Sequence, residues 1–164
     1  MEFSDILTGC IGSTIFDALN PFSDHSCEEK YDQQMQDNFA ALVDRARLRA
    51  ILQAVREWAP YARIVVVTYP RFYVDSGACN SRSDDYCAGL RRTDQRWVNA
   101  GIRRLDDAII DTAGGLGLQV VDLYDTPTGH ELCGASDTHF MNGIKPLKKV
   151  ESYAPELLRA RPHR

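Results

Sequence analysis

Arg63-Ile64-Val65-Val66-Val67-Thr68-Tyr69-Pro70 is the stretch on which the fold turns. Four consecutive β-branched residues, Ile64 to Val67, are stiff at χ1 and suit a pleated strand better than a helix. A continuous apolar run, rather than an alternating one, predicts a strand buried on both faces, as in the middle of a parallel sheet. The strand is expected over Arg63 to Tyr69, which puts Thr68-Tyr69-Pro70 at its C-terminal end. In open α/β sheets that end is where ligands bind.

Upstream, Tyr31 to Ala59 has a helical pattern. Phe39, Leu42, Val43, Ala46 and Ala50 share one stripe, which Ile51, Leu52, Val55 and Trp58 continue, and Pro60 ends it. Before that, Ser4 to Lys30 reads as loop with a short helical piece, bracketed by Cys10 and Cys27. Downstream, an irregular stretch rich in Ser, Asp, Gly and Asn runs to about Arg92. A loop that long inside a compact domain is usually functional or covalently stapled. Thr93 can cap a second helix carrying Trp97, Gly101, Leu105, Ala108, Ile109 and Thr112 on one stripe, with Gly114-Gly115 as its stop. Leu118 to Tyr124 then reads as a second strand. Strand, helix and strand make a βαβ unit. Two strands are fewer than the usual four to six, so the sheet is expected to be incomplete.

With 164 residues, the chain fits one domain. A 44% hydrophobic and 26% charged composition is ordinary for a globular protein. Its longest apolar run, Phe39 to Val43, is five residues, against the ~18 a membrane span needs. The net charge is −4, and the basic residues gather late, at Lys145, Lys148, Lys149, Arg159, Arg161 and Arg164. Nucleic-acid affinity rests on a basic footprint that the rest of the chain lacks, so no nucleic-acid partner and no integral membrane contact are expected. The start, Met1-Glu2-Phe3-Ser4-Asp5, has no basic n-region and does not read as a signal peptide. Yet five cysteines, at 10, 27, 79, 87 and 133, are a secreted style of usage.

Catalytic constellations are sparse. The Gly-x-Ser-x-Gly elbow is absent, and none of His25, His130, His139 and His163 has a partner set by spacing. His130-Glu131 begins like a zincin helix motif, but Gly134 stands where its second histidine belongs. His130, Cys133 and His139 lack the second pair of a standard zinc spacing, so no metal and no cofactor are expected. Gly114-Gly115-Leu116-Gly117 follows a helix and precedes a strand, the reverse of a dinucleotide fingerprint.

Several pieces in order nevertheless resemble the secreted microbial SGNH (GDSL-type) ester hydrolases. They are Phe3-Ser4-Asp5-Ile6-Leu7-Thr8-Gly9-Cys10, Ala59 to Phe72, Val120-Val121-Asp122, and Thr128-Gly129-His130-Glu131-Leu132-Cys133. Met141-Asn142-Gly143-Ile144 and Glu151-Ser152-Tyr153-Ala154-Pro155 complete the series. The resemblance implies a three-layer, flavodoxin-like α/β fold with a mostly parallel sheet, here incomplete at both ends. It divides the chain into a hydrolase-like domain over 1–155, missing the N-terminal nucleophile block, and a basic tail over 156–164. The family's Gly-Asp-Ser block, oxyanion glycine and Gly-x-Asn-Asp block have no counterpart in this sequence. Ala154 stands where the family's Ser-Phe-His-Pro carries its base, and alanine accepts no proton.

The expected function is therefore that of a fragment of, or a degenerate, serine ester hydrolase of the lipase/esterase kind, inactive as the chain stands. The alternative is a non-catalytic binding or interaction protein that keeps the scaffold. A third possibility is a rewired site using Ser76 or Ser136 with His130 or His139. No catalytic residue is assigned. Tyr69, Pro70, Phe72 and His130 are candidate cleft residues for a lipid or acyl-ester small molecule. By the same resemblance Cys10 pairs with Cys27, and Cys133 with Cys87, a Cys79–Cys87 bridge being the rival. The family is extracellular; without a signal peptide the chain as written would stay in the cytoplasm.

Overall fold

β1 (Val65–Val67) pairs in parallel with β4 (Gln119–Val121), Val66 standing opposite Val120. In this computed structural model residues 3–19, 26–44, 46–75, 86–87, 90–134 and 139–141 are described. Between the paired strands run a short antiparallel ladder, β2 (Tyr86–Cys87) with β3 (Leu90–Arg91), and helix α4 (Arg92–Gly114). The expected βαβ unit is present, with α4 packed on β4.

The burial of the strands differs from expectation. Val65, Val67 and Val121 are exposed, and only Val66, Val120 and their side of the pleat are half-buried. Period-two alternation puts the three exposed valines on one face, so the helical layer among the described residues shields the other.

The N-terminal half is more helical than its sequence suggests. α1 (Phe3–Leu19) takes up most of a stretch expected as loop with a short helical piece. Ile6, Leu7, Cys10 and Ile11 form a buried stripe at helical spacing, which explains it. α2 (Cys27–Phe39) starts on a capping box: Ser26 Oγ accepts from Glu29 N–H, and Glu29 Oε2 accepts from Ser26 N–H. The single helix expected over Tyr31 to Ala59 is broken. A π-helical turn over Ala40–Asp44 follows α2, and Ala46 is left-handed at φ 55° before α3 (Arg47–Trp58) begins. The break re-aims the second half of the stripe. Leu52 is buried, while Ile51, Val55 and Trp58 face outward, Trp58 at 91% exposure.

Two details of α4 are also corrected. Its N-cap is Arg91 without a side-chain cap, not Thr93, which is exposed. Its buried stripe runs through Val98, Ile102, Ile109 and Ala113, leaving Trp97 and Leu105 half-covered. α4 does end at Gly114.

One core gathers Leu7, Ile11, Tyr73, Leu90, Val98 and Ile102 around Cys10 and Cys27; a second joins Ile6, Met35 and Phe39. Cys10 and Cys27 are bridged, with Cα atoms 5.2 Å apart, as expected. Cys133 is also in a disulfide, but the side chain of Cys87, its expected partner, and Cys79 lie outside the described residues. So do Ser76, Ser136, His25, His163 and the whole of 142–164, including the tail expected over 156–164. Among the described residues no helix is long and apolar enough to cross a membrane.

Candidate functional site

At the C-terminal ends of β1 and β4, backbone pairing gives way to side chains. Thr68 N–H still donates to Val121 C=O at 3.1 Å, and then the buried Thr68 hydroxyl takes over. It donates to Asp122 Oδ1 at 3.0 Å and accepts from Leu123 N–H at 2.9 Å. Asp122 Oδ1 also accepts from Tyr124 N–H at 3.0 Å, and Oδ2 meets Arg103 at 3.1 Å. The Tyr124 amide above all, with Arg103 and Thr68, holds the Asp122 carboxyl below the usual carboxylate range. Asp122 thus anchors loop backbone, the role its position after a strand suggests.

Beneath the same strand end lies Asp106, fully buried on α4. Its Oδ1 accepts from Tyr69 N–H at 2.9 Å, and its Oδ2 has no hydrogen-bond partner. Burial pushes this carboxyl up to about 6; the Tyr69 amide opposes the shift and the Asp122 charge adds to it. Two carboxyls at one strand end are therefore held far apart in acidity. Asp106 has no access to solvent and holds the Tyr69 amide.

Arg71 is the hub of the neighbouring loops. Its guanidinium contacts Glu131 at 2.5 Å, Asp125 at 2.9 Å and Asp75 at 3.2 Å, and donates to Thr128 Oγ1 at 3.0 Å. Partial burial alone would make Arg71 less basic, but the Glu131 hydrogen bond and the three carboxylate charges raise its pKa instead. Glu131 is buried, and its Oε2 accepts from Gly129 N–H at 2.7 Å. Asn99 on α4 fixes the other side of the segment: its Oδ1 accepts from Phe72 and Tyr73 N–H, and its Nδ2 donates to Tyr73 C=O at 2.7 Å. Leu132 N–H donates to Phe72 C=O and Val74 N–H to Leu132 C=O, so segments 71–74 and 131–132 run side by side.

The candidate cleft residues divide on this frame. Tyr69 is 52% exposed, with its amide tied to Asp106. Pro70 is half-buried, and Phe72 packs against the main core. His130 stacks on Phe140 at 4.2 Å between ring centres, and Phe140 N–H donates to His130 C=O. The Arg71–Glu131 pair brings the loop of His130 next to the segment beyond β1 that carries Pro70 and Phe72. Residue type alone hid Asp106, Arg71, Asn99 and Glu131. One signal was available: Asp106 sits at helical spacing between Ile102 and Ile109, a carboxylate inside a buried stripe.

Nucleophilic chemistry needs a free hydroxyl or thiol beside a base. Ser13 Oγ donates to Cys10 C=O at 2.8 Å, and Ser26 Oγ caps α2. His139 Nδ1 lies 2.8 Å from Glu131 C=O. These groups hold backbone.

No protein-family profile matches the chain. Two curated relatives do. Lipase 1 of Streptomyces coelicolor is 31% identical over 109 residues, which are 66% of this chain and 37% of that protein. A lipase of Streptomyces rimosus is 31% identical over 91 residues, covering 56% of this chain and 31% of that one. The chain thus spans about a third of the length of the curated relatives it matches. Among solved structures, phospholipase A1 from Streptomyces albidoflavus superposes with a TM-score of 0.70 at 27% identity, over 93% of this chain and 56% of that one. The extracellular lipase from Streptomyces rimosus gives 0.66 at 23% identity, over 92% and 58%.

Proposed function

From its kinship with the secreted SGNH-type Streptomyces lipases, whose α/β fold this chain shares, we propose that the chain carries the strand-end and loop scaffold of a lipase/esterase-type hydrolase without turning over esters itself. Its parent chemistry is serine-nucleophile hydrolysis of lipid or acyl esters outside the cell. The observation that carries the silent reading is the commitment of Ser13, Ser26 and His139 to backbone hydrogen bonds. The sequence adds that Ala154 occupies the place of the family's base. Loss of nucleophile or base alone lowers a triad's rate by about 10⁴-fold or more.

Purified chain is therefore expected to hydrolyse a short-chain nitrophenyl ester no faster than a blank, and to resist labelling by a fluorophosphonate. A burst of nitrophenol, or stoichiometric labelling, would overturn the proposal and revive a rewired site at Ser76 or Ser136. The non-catalytic binding reading is favoured by one observation, the exposure of Tyr69 and Phe140. It expects Tyr69→Ala to weaken binding of a fluorescent acyl ester that the parent chain binds and leaves intact.

A further inference from the structure

Cys10 on α1, Cys27 opening α2 and Asp94 in the first turn of α4 meet in the main core, and all three are buried. One ligand atom from each, two sulfurs and a carboxylate oxygen, lie within 4.8 Å of one another. Asp94 Oδ1 accepts from Cys27 N–H at 2.7 Å, whereas Oδ2 is sealed from solvent with no hydrogen-bond partner. The charged groups acting on this carboxyl are Arg91 and Glu28, which oppose each other. A buried carboxylate oxygen without a partner is a demand for a proton or a cation.

We propose that the reduced chain holds a zinc-class divalent cation on Cys10 Sγ, Cys27 Sγ and Asp94 Oδ2, so that the same place in the core is closed either by a disulfide or by a metal. Opening the bridge takes two electrons from a thiol or phosphine reductant and two protons, and yields two thiols. The cation then displaces both protons, leaving two thiolates and one carboxylate around it, with water as a fourth ligand. Bonds of about 2.3 Å to each sulfur require the sulfurs roughly 3.8 Å apart in tetrahedral geometry. Rotation of the two side chains from Cα atoms held 5.2 Å apart supplies that separation. Soft thiolates select zinc, cobalt or cadmium over calcium and magnesium. The ligands are 17 and 67 residues apart in the chain, so no spacing motif announces them.

The test is a titration of the phosphine-reduced full chain with cobalt(II) under anaerobic conditions. It reads the thiolate-to-cobalt charge-transfer band and the tetrahedral visible bands, with zinc counted per chain in parallel. The parent is expected to bind one more metal than the Cys10→Ser/Cys27→Ser double variant, which retains the other three cysteines as background. Asp94→Asn keeps the acceptor for Cys27 N–H and loses the anionic ligand. Its cobalt affinity should fall by at least about tenfold, the lower end for losing even an outer partner of a metal site, while its oxidised form still melts cooperatively. If the double variant does not fold, the Asp94→Asn comparison decides alone. Equal cobalt spectra in parent and double variant, or equal affinity in parent and Asp94→Asn, would overturn the site.

Discussion

Asp106 shows what one buried carboxyl does at a strand end. Its ordinary value is 3.8, and in the fold it is pushed up to about 6. The folded chain therefore holds this proton more tightly than the unfolded one. The stabilisation from that proton is fully present below pH ~4 and is lost as pH rises through about 6. Asp106→Asn keeps an oxygen for the Tyr69 amide and removes the charge that must be buried. At pH 8 the variant is expected to be more stable by up to about 3 kcal/mol, and its advantage should vanish by pH ~4. Melting curves at a series of pH values check this; a constant difference across that range would refute the assignment. The neighbouring Asp122 was legible in the sequence as a loop anchor, because Asp after a strand commonly takes that role. Glu131 and Asp94 were not, since acidic residues are read as solvated unless a partner far along the chain is known.

Elements were legible in kind and less so in extent. The valine run forms a strand, though a shorter one than expected, α4 ends at Gly114 as its glycines signal, and its buried stripe is shifted from the one read in the sequence. α1 was legible only as a short helical piece; Gly9 and Gly12 weaken its local propensity, yet Gly9 is what lets α1 approach α2. A Cβ added there would stand 2.8 Å from the Tyr31 hydroxyl and 3.0 Å from its ring. Gly9→Ala would raise helix propensity on an isolated peptide, but in the folded protein it should cost about 1 kcal/mol through overpacking. Urea denaturation measures the sign: a stabilised variant would mean that Tyr31 yields freely. The break at Ala46 was hidden for a different reason. Nothing in Ala-Arg-Leu-Arg requires a left-handed residue; the turn there redirects the chain into α3, which packs on α4.

For the whole molecule, the outward valines are the dominant feature. Val65, Val67 and Val121 on one sheet face, and Ile51, Val55 and Trp58 on α3, are exposed apolar side chains, and contiguous apolar surface of this kind promotes association. The chain is expected to self-associate at tens of micromolar. Replacing Val65, Val67 and Val121 by Thr keeps the β-branched shape and should return it toward monomer in sedimentation velocity, with the circular dichroism unchanged. A monodisperse parent would show that this face is harmless. Fold class could be read from a few residues because βαβ order is a local pattern. The degree of covering could not, since it depends on what packs from elsewhere.

The parallel register of β1 and β4 has a consequence in time. Thr68 and its partner Asp122 are 54 residues apart, so β1 is synthesised well before β4 exists to pair with it. At roughly 5–20 residues per second, that interval is about 3–10 s on the ribosome. Throughout it, Ile64-Val65-Val66-Val67 leaves the exit tunnel as a naked, sticky strand, whereas Cys10 and Cys27, 17 residues apart, are both already out. The nascent chain thus presents the valine run before its pairing partner, an aggregation hazard that lasts until β4 emerges.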